Sequence, residues 1–375
     1  MKTLKHGITM RGDSIYCPLP LSIEPYWMCF PDCPSCYFRG LNHVWGCDLR
    51  PIDLGALEAK LVNGLKNTNP RSSLAKCLAQ KKTIRLGNKT DPFQPIEEEM
   101  RRSTGAIRIM TNLQWSYVVQ TKFPTRMWTM NQRTIRRAAR QHLVTLLPII
   151  SPGMELDWEL MEGGNTEPIA TRLSTIQEWG QQDIEIPFGV NGEPFIPGFH
   201  TVAMFEDAIR RLKAVGVKRY NTYNFHFTPH VAKRLVKIKG VDIEKIWNEN
   251  HDANWKKILV QLLDIAKRYD MILGCPDFVN PGPDYRECAN TCCGIDVPNP
   301  CTFNTHYFKK YAQDGLTAQQ IIDVTNDGSG DYEEGRGVII GSCKGMYTLK
   351  DSGLTVTDDT LYNKNVDNNG GLLNE

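Results

Sequence analysis

"SYVVQTKFPTRMWTMNQRTIRRAARQHLVTLLPII" occupies residues 116–150. SYVVQT (116–121) reads as a strand, NQRTIRRAARQ (131–141) as a basic helix, and HLVTLLPII (142–150) as a second strand. The last run is apolar almost without interruption, as expected of a strand covered on both faces. Such a strand belongs to a parallel sheet with helices packed over it.

The same rhythm extends in both directions. Upstream, LGALEAKLVNGLK (54–66) has helical spacing and high helix propensity, and TIRLGN (83–88) is a short strand ending at glycine. Pro95 opens a helix, PIEEEMRRSTGAIRIM, with three glutamates in its first turn. Downstream, EPIATRLSTIQEWG (167–180) and TVAMFEDAIRRLKAVG (201–216) are helices closed by glycine. DIEIPFGV (183–190), VKRYNTYNF (217–225) and MILGC (271–275) read as strands, and NWKKILVQLLDIAKRYD (254–270) as a helix. About six or seven βα units result, which predicts an α/β fold, either doubly wound or a full or partial barrel. There is no Gly-rich dinucleotide fingerprint, P-loop or internal repeat.

Bulk properties set outer limits. The chain has 375 residues, 41% of them hydrophobic, and a net charge of +2. That supports a large core and gives no strong global field toward nucleic acid or membrane. No apolar run reaches the roughly 18 residues of a membrane span, and the start lacks a secretory apolar stretch, so a cytoplasmic, reducing setting is expected.

In such a setting, clustered cysteines point to metal binding or catalysis. Of twelve cysteines, Cys29, Cys33 and Cys36 crowd one proline-rich loop, MCFPDCPSCYFRG (28–40). A disulfide knot, a zinc site and an iron–sulfur site are the three candidates. Structural zinc takes four ligands, usually as two paired knuckles, and no second C-x-x-C is present. Three thiolates on a four-iron cubane leave one iron open to another ligand. The loop precedes the βα series, where a cofactor sits at a barrel mouth.

Cys29-x3-Cys33-x2-Cys36, followed by Tyr37, resembles the signature of the radical S-adenosylmethionine (radical SAM) superfamily. IRLGNKTDPFQPIE (84–97), VVQTKFP (118–124), EPIATRL (167–173) and PFIPGF (194–199) resemble, in order, segments of its spore photoproduct lyase-like branch. The resemblance runs from about residue 25 to 275 and implies a partial (β/α)6-type barrel over 1–275. A cysteine-rich C-terminal extension (276–345) and a partly disordered tail (346–375) would follow. It also implies a [4Fe-4S] cluster on Cys29, Cys33 and Cys36, with SAM bound to the open iron and cleaved to a 5′-deoxyadenosyl radical. An external flavodoxin- or ferredoxin-like donor would supply the electron.

Further roles follow by the same resemblance. Gly87 to Asp91 occupy the place where many members hold the SAM amino group with G-G-E; here Thr90 or Asp91 must substitute. Lys122 would pair with the SAM carboxylate, and Ser151 would hydrogen-bond it. The hydrogen-donating cysteine of true photoproduct lyases is absent, since Leu86, Gly87, Asn88 and Lys89 stand there. Repair by that route is therefore not implied.

Cys275 ends the last expected strand and should face the barrel mouth; Cys288, Cys292, Cys293 and Cys301 follow on a loop. A second iron–sulfur cluster is one reading of them. Redox-active or hydrogen-donating thiols, with Cys275 and Cys293 as catalytic candidates, are another, and buried structural thiols or a zinc staple a third. Tyr223, in YNTYNFHFTPH (220–230), stands where a base could stack, beside Asn224 and His226; barrel-layer packing is the alternative. Arg126, Arg133, Arg136, Arg137 and Arg140, and separately Lys233, Arg234, Lys237 and Lys239, form basic stretches that suit either phosphates or a solvated face. A nucleobase, nucleoside, DNA or RNA substrate is expected. The alternatives are a peptide-modifying radical SAM enzyme with an auxiliary cluster, and a zinc-stapled nucleic-acid-binding protein.

Overall fold

In the structure, a computed structural model, the 116–150 stretch forms strand Tyr117–Thr121, helix Pro124–Arg140 and strand Val144–Pro148. The structure describes residues 4–10, 19, 21–38, 49–225 and 227–274. The two strands pair in parallel, from Tyr117↔Val144 to Thr121↔Pro148. The helix begins well before residue 131 because Pro124 takes a first-turn position, where its missing N–H costs nothing.

The strands in chain order are β1 (Ile8–Met10), β2 (Leu21–Ile23), β3 (Ile84–Leu86), β4 (Tyr117–Thr121), β5 (Val144–Pro148), β6 (Val190–Asn191), β7 (Arg219–Asn221) and β8 (Ile272–Gly274). One sheet runs β1-β2-β3-β4-β5 and a second β6-β7-β8. Parallel bridges Leu146↔Phe188 and Ile149↔Asn191 connect them. Among the described strands only β1 runs antiparallel to its neighbour. From β2 onward each strand follows its predecessor without reversal. A doubly wound sheet needs a reversal at its switch point, so that option is excluded. With right-handed crossovers, sequential order places the helices on one side of the sheet.

The helices are α1 (Leu54–Lys66), α2 (Ser73–Ala79), α3 (Glu97–Met100), α4 (Arg102–Asn112), α5 (Pro124–Arg140), α6 (Ile169–Gly180), α7 (Val202–Ala214), α8 (Pro229–Leu235), α9 (Ile243–Glu249) and α10 (Asp252–Arg268). Asp53 and Thr201 cap α1 and α7 through Ala56 N–H and Met204 N–H. Among the described residues no helix is long and apolar enough to cross a membrane.

The sheet has two chemically different faces. Leu21, Ile84, Tyr117, Val119, Leu146 and Val190 join one apolar core with the helices. Alternation sends Ser22, Arg85, Val118, Thr145, Leu147, Asn191 and Asn221 the other way. All seven are buried yet stand outside that core, so the inner face is enclosed and mostly polar.

Three expectations need correction. The helix opened by Pro95 is two helices, broken at Arg101, whose φ is +56°. Glu97 turns inward to take the N–H groups of Ser103 (3.0 Å) and Thr104 (2.8 Å), so it caps α4 instead of lining an exposed first turn. The strand expected over 183–190 shrinks to β6, because Pro187 has no N–H for a ladder. Gly180 is the last residue of α6 and not its terminator, whereas Gly216, at φ +90°, does follow α7 as a stop. Helices α8 and α9, which the periodicity did not suggest, pack as a satellite around Phe225, Phe227, Val231, Leu235 and Ile246. The expected C-terminal extension and tail lie outside the described residues.

Candidate metal and cofactor site

Parallel pairing brings the C-terminal ends of β2 to β8 to one rim, and the loops beyond those ends carry the chemistry. Past β2, Glu24 is buried and its carboxylate accepts the N–H groups of Asn88 (3.2 Å), Lys89 (3.1 Å) and Thr90 (3.3 Å). Burial lifts its carboxyl above the ordinary value, and the three backbone donors restrain the rise. The loop after β3 is thereby folded onto the one after β2.

The cysteine loop is pinned on several sides. Gln94, fully buried, accepts from Phe30 N–H and donates to Met28 C=O, both at 2.7 Å. Ser35 donates to Met161 C=O from its N–H (3.2 Å) and its hydroxyl (3.0 Å). Arg234 of α8 donates to the backbone and side-chain oxygens of Asp32, each at 2.8 Å. Tyr37 packs on the satellite around Phe225. Between these anchors Cys29, Cys33 and Cys36 are half-buried thiols outside any disulfide.

Cys29 Sγ lies 3.5 Å from the Asp91 N–H, and Cys33 Sγ 3.8 Å from Lys122 Nζ. Burial pushes the Cys29 thiol well up, and the Asp91 carboxylate adds to the rise. Burial takes Cys33 to about 11 despite the nearby lysine. Left alone these groups stay protonated at neutral pH; a bound metal would deprotonate them. A three-thiol set with an N–H on one sulfur and an ammonium by another suits soft, thiophilic metal chemistry. Among the described residues no three His, Cys, Asp or Glu converge on a single ion. A cluster has no such requirement, since each thiolate takes its own iron.

The other expected site residues are also placed. Gly87 follows β3 at φ +80°, and a Cβ there would stand 2.4 Å from Pro92 Cδ and 2.9 Å from Gln120 O. Thr90 donates its hydroxyl to Tyr26 C=O at 2.8 Å. Asp91 accepts from Phe93 N–H (2.9 Å), the Thr121 hydroxyl (2.6 Å) and Lys122 N–H (2.6 Å), tying the β3 loop to the end of β4. Lys122 Nζ is 3.1 Å from Glu162 as well as close to Cys33. Ser151 and Tyr223 both reach the 193–195 loop: Ser151 Oγ donates to Glu193 C=O at 3.4 Å, and Tyr223 C=O accepts Phe195 N–H at 2.8 Å. Cys275, Cys288, Cys292, Cys293, Cys301 and His226 lie outside the described residues.

Two further residues organise the rim. Glu162, 1% exposed, takes Lys122, Arg172 and the Thr166 hydroxyl on one carboxylate. Burial opposes its charge, but Lys122 and Arg172 outweigh that and hold it at about 2. Glu167 accepts Thr125 N–H and Arg126 N–H, both at 2.9 Å, and so caps α5. Arg172 also binds the Glu167 (2.8 Å) and Ile149 (2.6 Å) carbonyls. The E-P-x-x-x-R segment thus locks together three loops. That motif was the available signal for Glu167; Glu162, just before Gly163 and Gly164, gave none.

The basic stretch on α5 is largely partnered: Arg126 pairs with Glu98 at 2.7 Å, Arg136 with Asp183, and Arg137 with Asn112 at 2.7 Å. That matches a solvated face. Phe225 and Phe227 pack on each other, 5.9 Å between ring centres, inside the satellite core.

No protein-family model matches the chain, and no curated protein matches it in sequence. Solved structures of Streptococcus suis SuiB are similar in shape. SuiB bound to precursor peptide SuiA shares 11% identity at a TM-score of 0.46, covering 68% of this chain and 48% of that one. SuiB bound to S-adenosylmethionine shares 12% at 0.42, covering 69% and 50%. The chain spans about half the length of these structures. A likeness of that order assigns no family, and the site is read from its own residues.

Proposed function

We propose that this chain is a radical SAM enzyme built on a partial (β/α)6-type barrel over about residues 1–275. The observation that carries the reading is the pinned three-thiol loop past the first parallel strand, with Lys122 Nζ 3.8 Å from Cys33 Sγ. A [4Fe-4S] cluster on Cys29, Cys33 and Cys36, with SAM on its open iron, would supply the electron that splits the sulfonium and yields a hydrogen-abstracting 5′-deoxyadenosyl radical.

The chain's own residues fix the setting for that chemistry. Lys122, restrained by Glu162, offsets the negative charge gathered at the thiolates, and the Asp91 N–H points at one sulfur. Glu24, Asp91 and Glu167 staple successive loops, so the donors are fixed before any ligand arrives. Lys122 and Ser151 are the groups offered to the SAM carboxylate, and Gly87 keeps the β3 loop close to β4. The buried inner face below the rim keeps water away from a reactive intermediate. A flavodoxin- or ferredoxin-like protein supplies the electron.

The test is anaerobic reconstitution with iron and sulfide, then incubation with SAM and dithionite. Release of 5′-deoxyadenosine is expected. A fully loaded protein that leaves SAM intact under reduction would contradict the proposal.

A further inference from the structure

Asn191 of β6 and Asn221 of β7 are register partners on the enclosed inner face. Neighbouring strands lie about 4.8 Å apart, and partners in register project to the same side. Both residues are buried, at 3% and 1% exposure. Asn191 Nδ2 donates to Glu193 at 3.4 Å, and among the described residues its Oδ1 has no partner. Among the described residues neither amide atom of Asn221 has a partner. Their chain neighbours Val190 and Tyr220 face the helix-side core, where Tyr220 donates to Ile150 C=O at 3.1 Å.

Buried amides are ordinarily hydrogen-bonded, and two adjacent exceptions need a reason. A face that only had to be filled would carry aliphatic side chains, as β5 does at Leu147. Together the pair offers acceptors at Asn191 and Asn221 and a donor at Asn221. The complementary ligand carries a donor and an acceptor side by side and no negative charge, since Glu193 is close. A trans peptide unit points its N–H and C=O in opposite directions and cannot present both on one edge. A ring lactam holds them cis on one edge. Asparagine amides pair with base edges in this bidentate way, and base-modifying enzymes read such edges in enclosed pockets.

We propose that Asn191 and Asn221 form a substrate subsite for the lactam edge of a nucleobase, entered from the rim past Glu193 and Tyr223. Its place in catalysis rests on the radical SAM reading; the binding itself does not.

The test uses the full chain, reconstituted, with uridine, inosine, S-adenosylhomocysteine and N-acetylglutamine methylamide as calorimetric probes. Uridine or inosine is expected to bind, with Asn221→Leu or Asn191→Leu weakening it by at least about tenfold and leaving S-adenosylhomocysteine within about twofold. Because an unpaired buried amide is removed, Asn221→Leu should melt no lower than wild type; Asn221→Ser serves if the leucine variant misfolds. The subsite is overturned if neither nucleoside binds, if S-adenosylhomocysteine weakens as much as the nucleoside, or if only the glutamine amide binds. 5′-Deoxyadenosine formed without nucleoside binding sinks this subsite alone. Nucleoside binding without reductive SAM cleavage sinks the radical reading alone.

Discussion

Lys122 and Glu162 form an ion pair at 3.1 Å, and the same ammonium lies 3.8 Å from the Cys33 sulfur. Glu162 is thus one residue removed from the cysteine loop. Burial opposes the lysine's charge, yet Cys33 and Glu162 raise its pKa above the ordinary value. Because Glu162 is sealed from water, removing it leaves Lys122 and Arg172 facing an uncompensated site. Glu162→Ala should lose about 3–5 kcal/mol, the usual penalty for breaking a buried pair. Urea denaturation of the metal-free chain reads this directly, and a loss below about 1 kcal/mol would mean the pair behaves as a surface contact.

The same carboxylate sets a pH signature. Its folded value, about 2, lies below its ordinary 4.5, so its contribution is complete above 4.5 and is lost as pH falls from there through 2. The stability difference between wild type and Glu162→Gln should stay level near neutrality and shrink only below 4.5. Denaturation curves at stepped pH test this; a difference that already declines near neutrality would contradict the pairing.

Glu167 satisfies two orphan N–H groups at the start of α5. Glu167→Ala should cost about 0.5–2 kcal/mol, as loss of a helix cap does. Slower hydrogen exchange in wild type than in the variant at Thr125 and Arg126 would locate the effect.

Gly87 combines φ +80° with a Cβ position 2.4 Å from Pro92 Cδ. Gly87→Ala should cost more than about 1 kcal/mol, from left-handed strain and the clash together. A melting temperature equal to wild type would show that the β3 loop has room the structure denies it.

Much of this architecture is legible in the sequence because its signals are local. Leu54–Lys66 and Val202–Ala214 announce themselves by helical periodicity, and each begins right after its capping side chain, Asp53 or Thr201. The apolar run around Val144–Pro148 marks a strand buried on both faces. What stayed hidden depends on distant partners. Glu24 is an unremarkable acid until residues 88–90 fold over it, and Glu97 breaks a helix because Ser103 and Thr104 come within its reach. Pro187 cut a strand whose alternation alone looked sound. Asn221 falls within an expected strand and Asn191 just beyond one, and only the pairing of β6 with β7 sets them side by side on a buried face.

The central claim is that Cys29, Cys33 and Cys36 hold a cluster that SAM binds. The most direct measurement is electron paramagnetic resonance of the anaerobically reconstituted, reduced protein, with iron and sulfide counted, before and after SAM is added. At least about four irons per chain and a spectrum altered by SAM are expected for wild type, with the SAM-sensitive signal gone in the C29A/C33A/C36A variant. An unchanged signal in that variant, or a wild-type spectrum indifferent to SAM, would contradict the account.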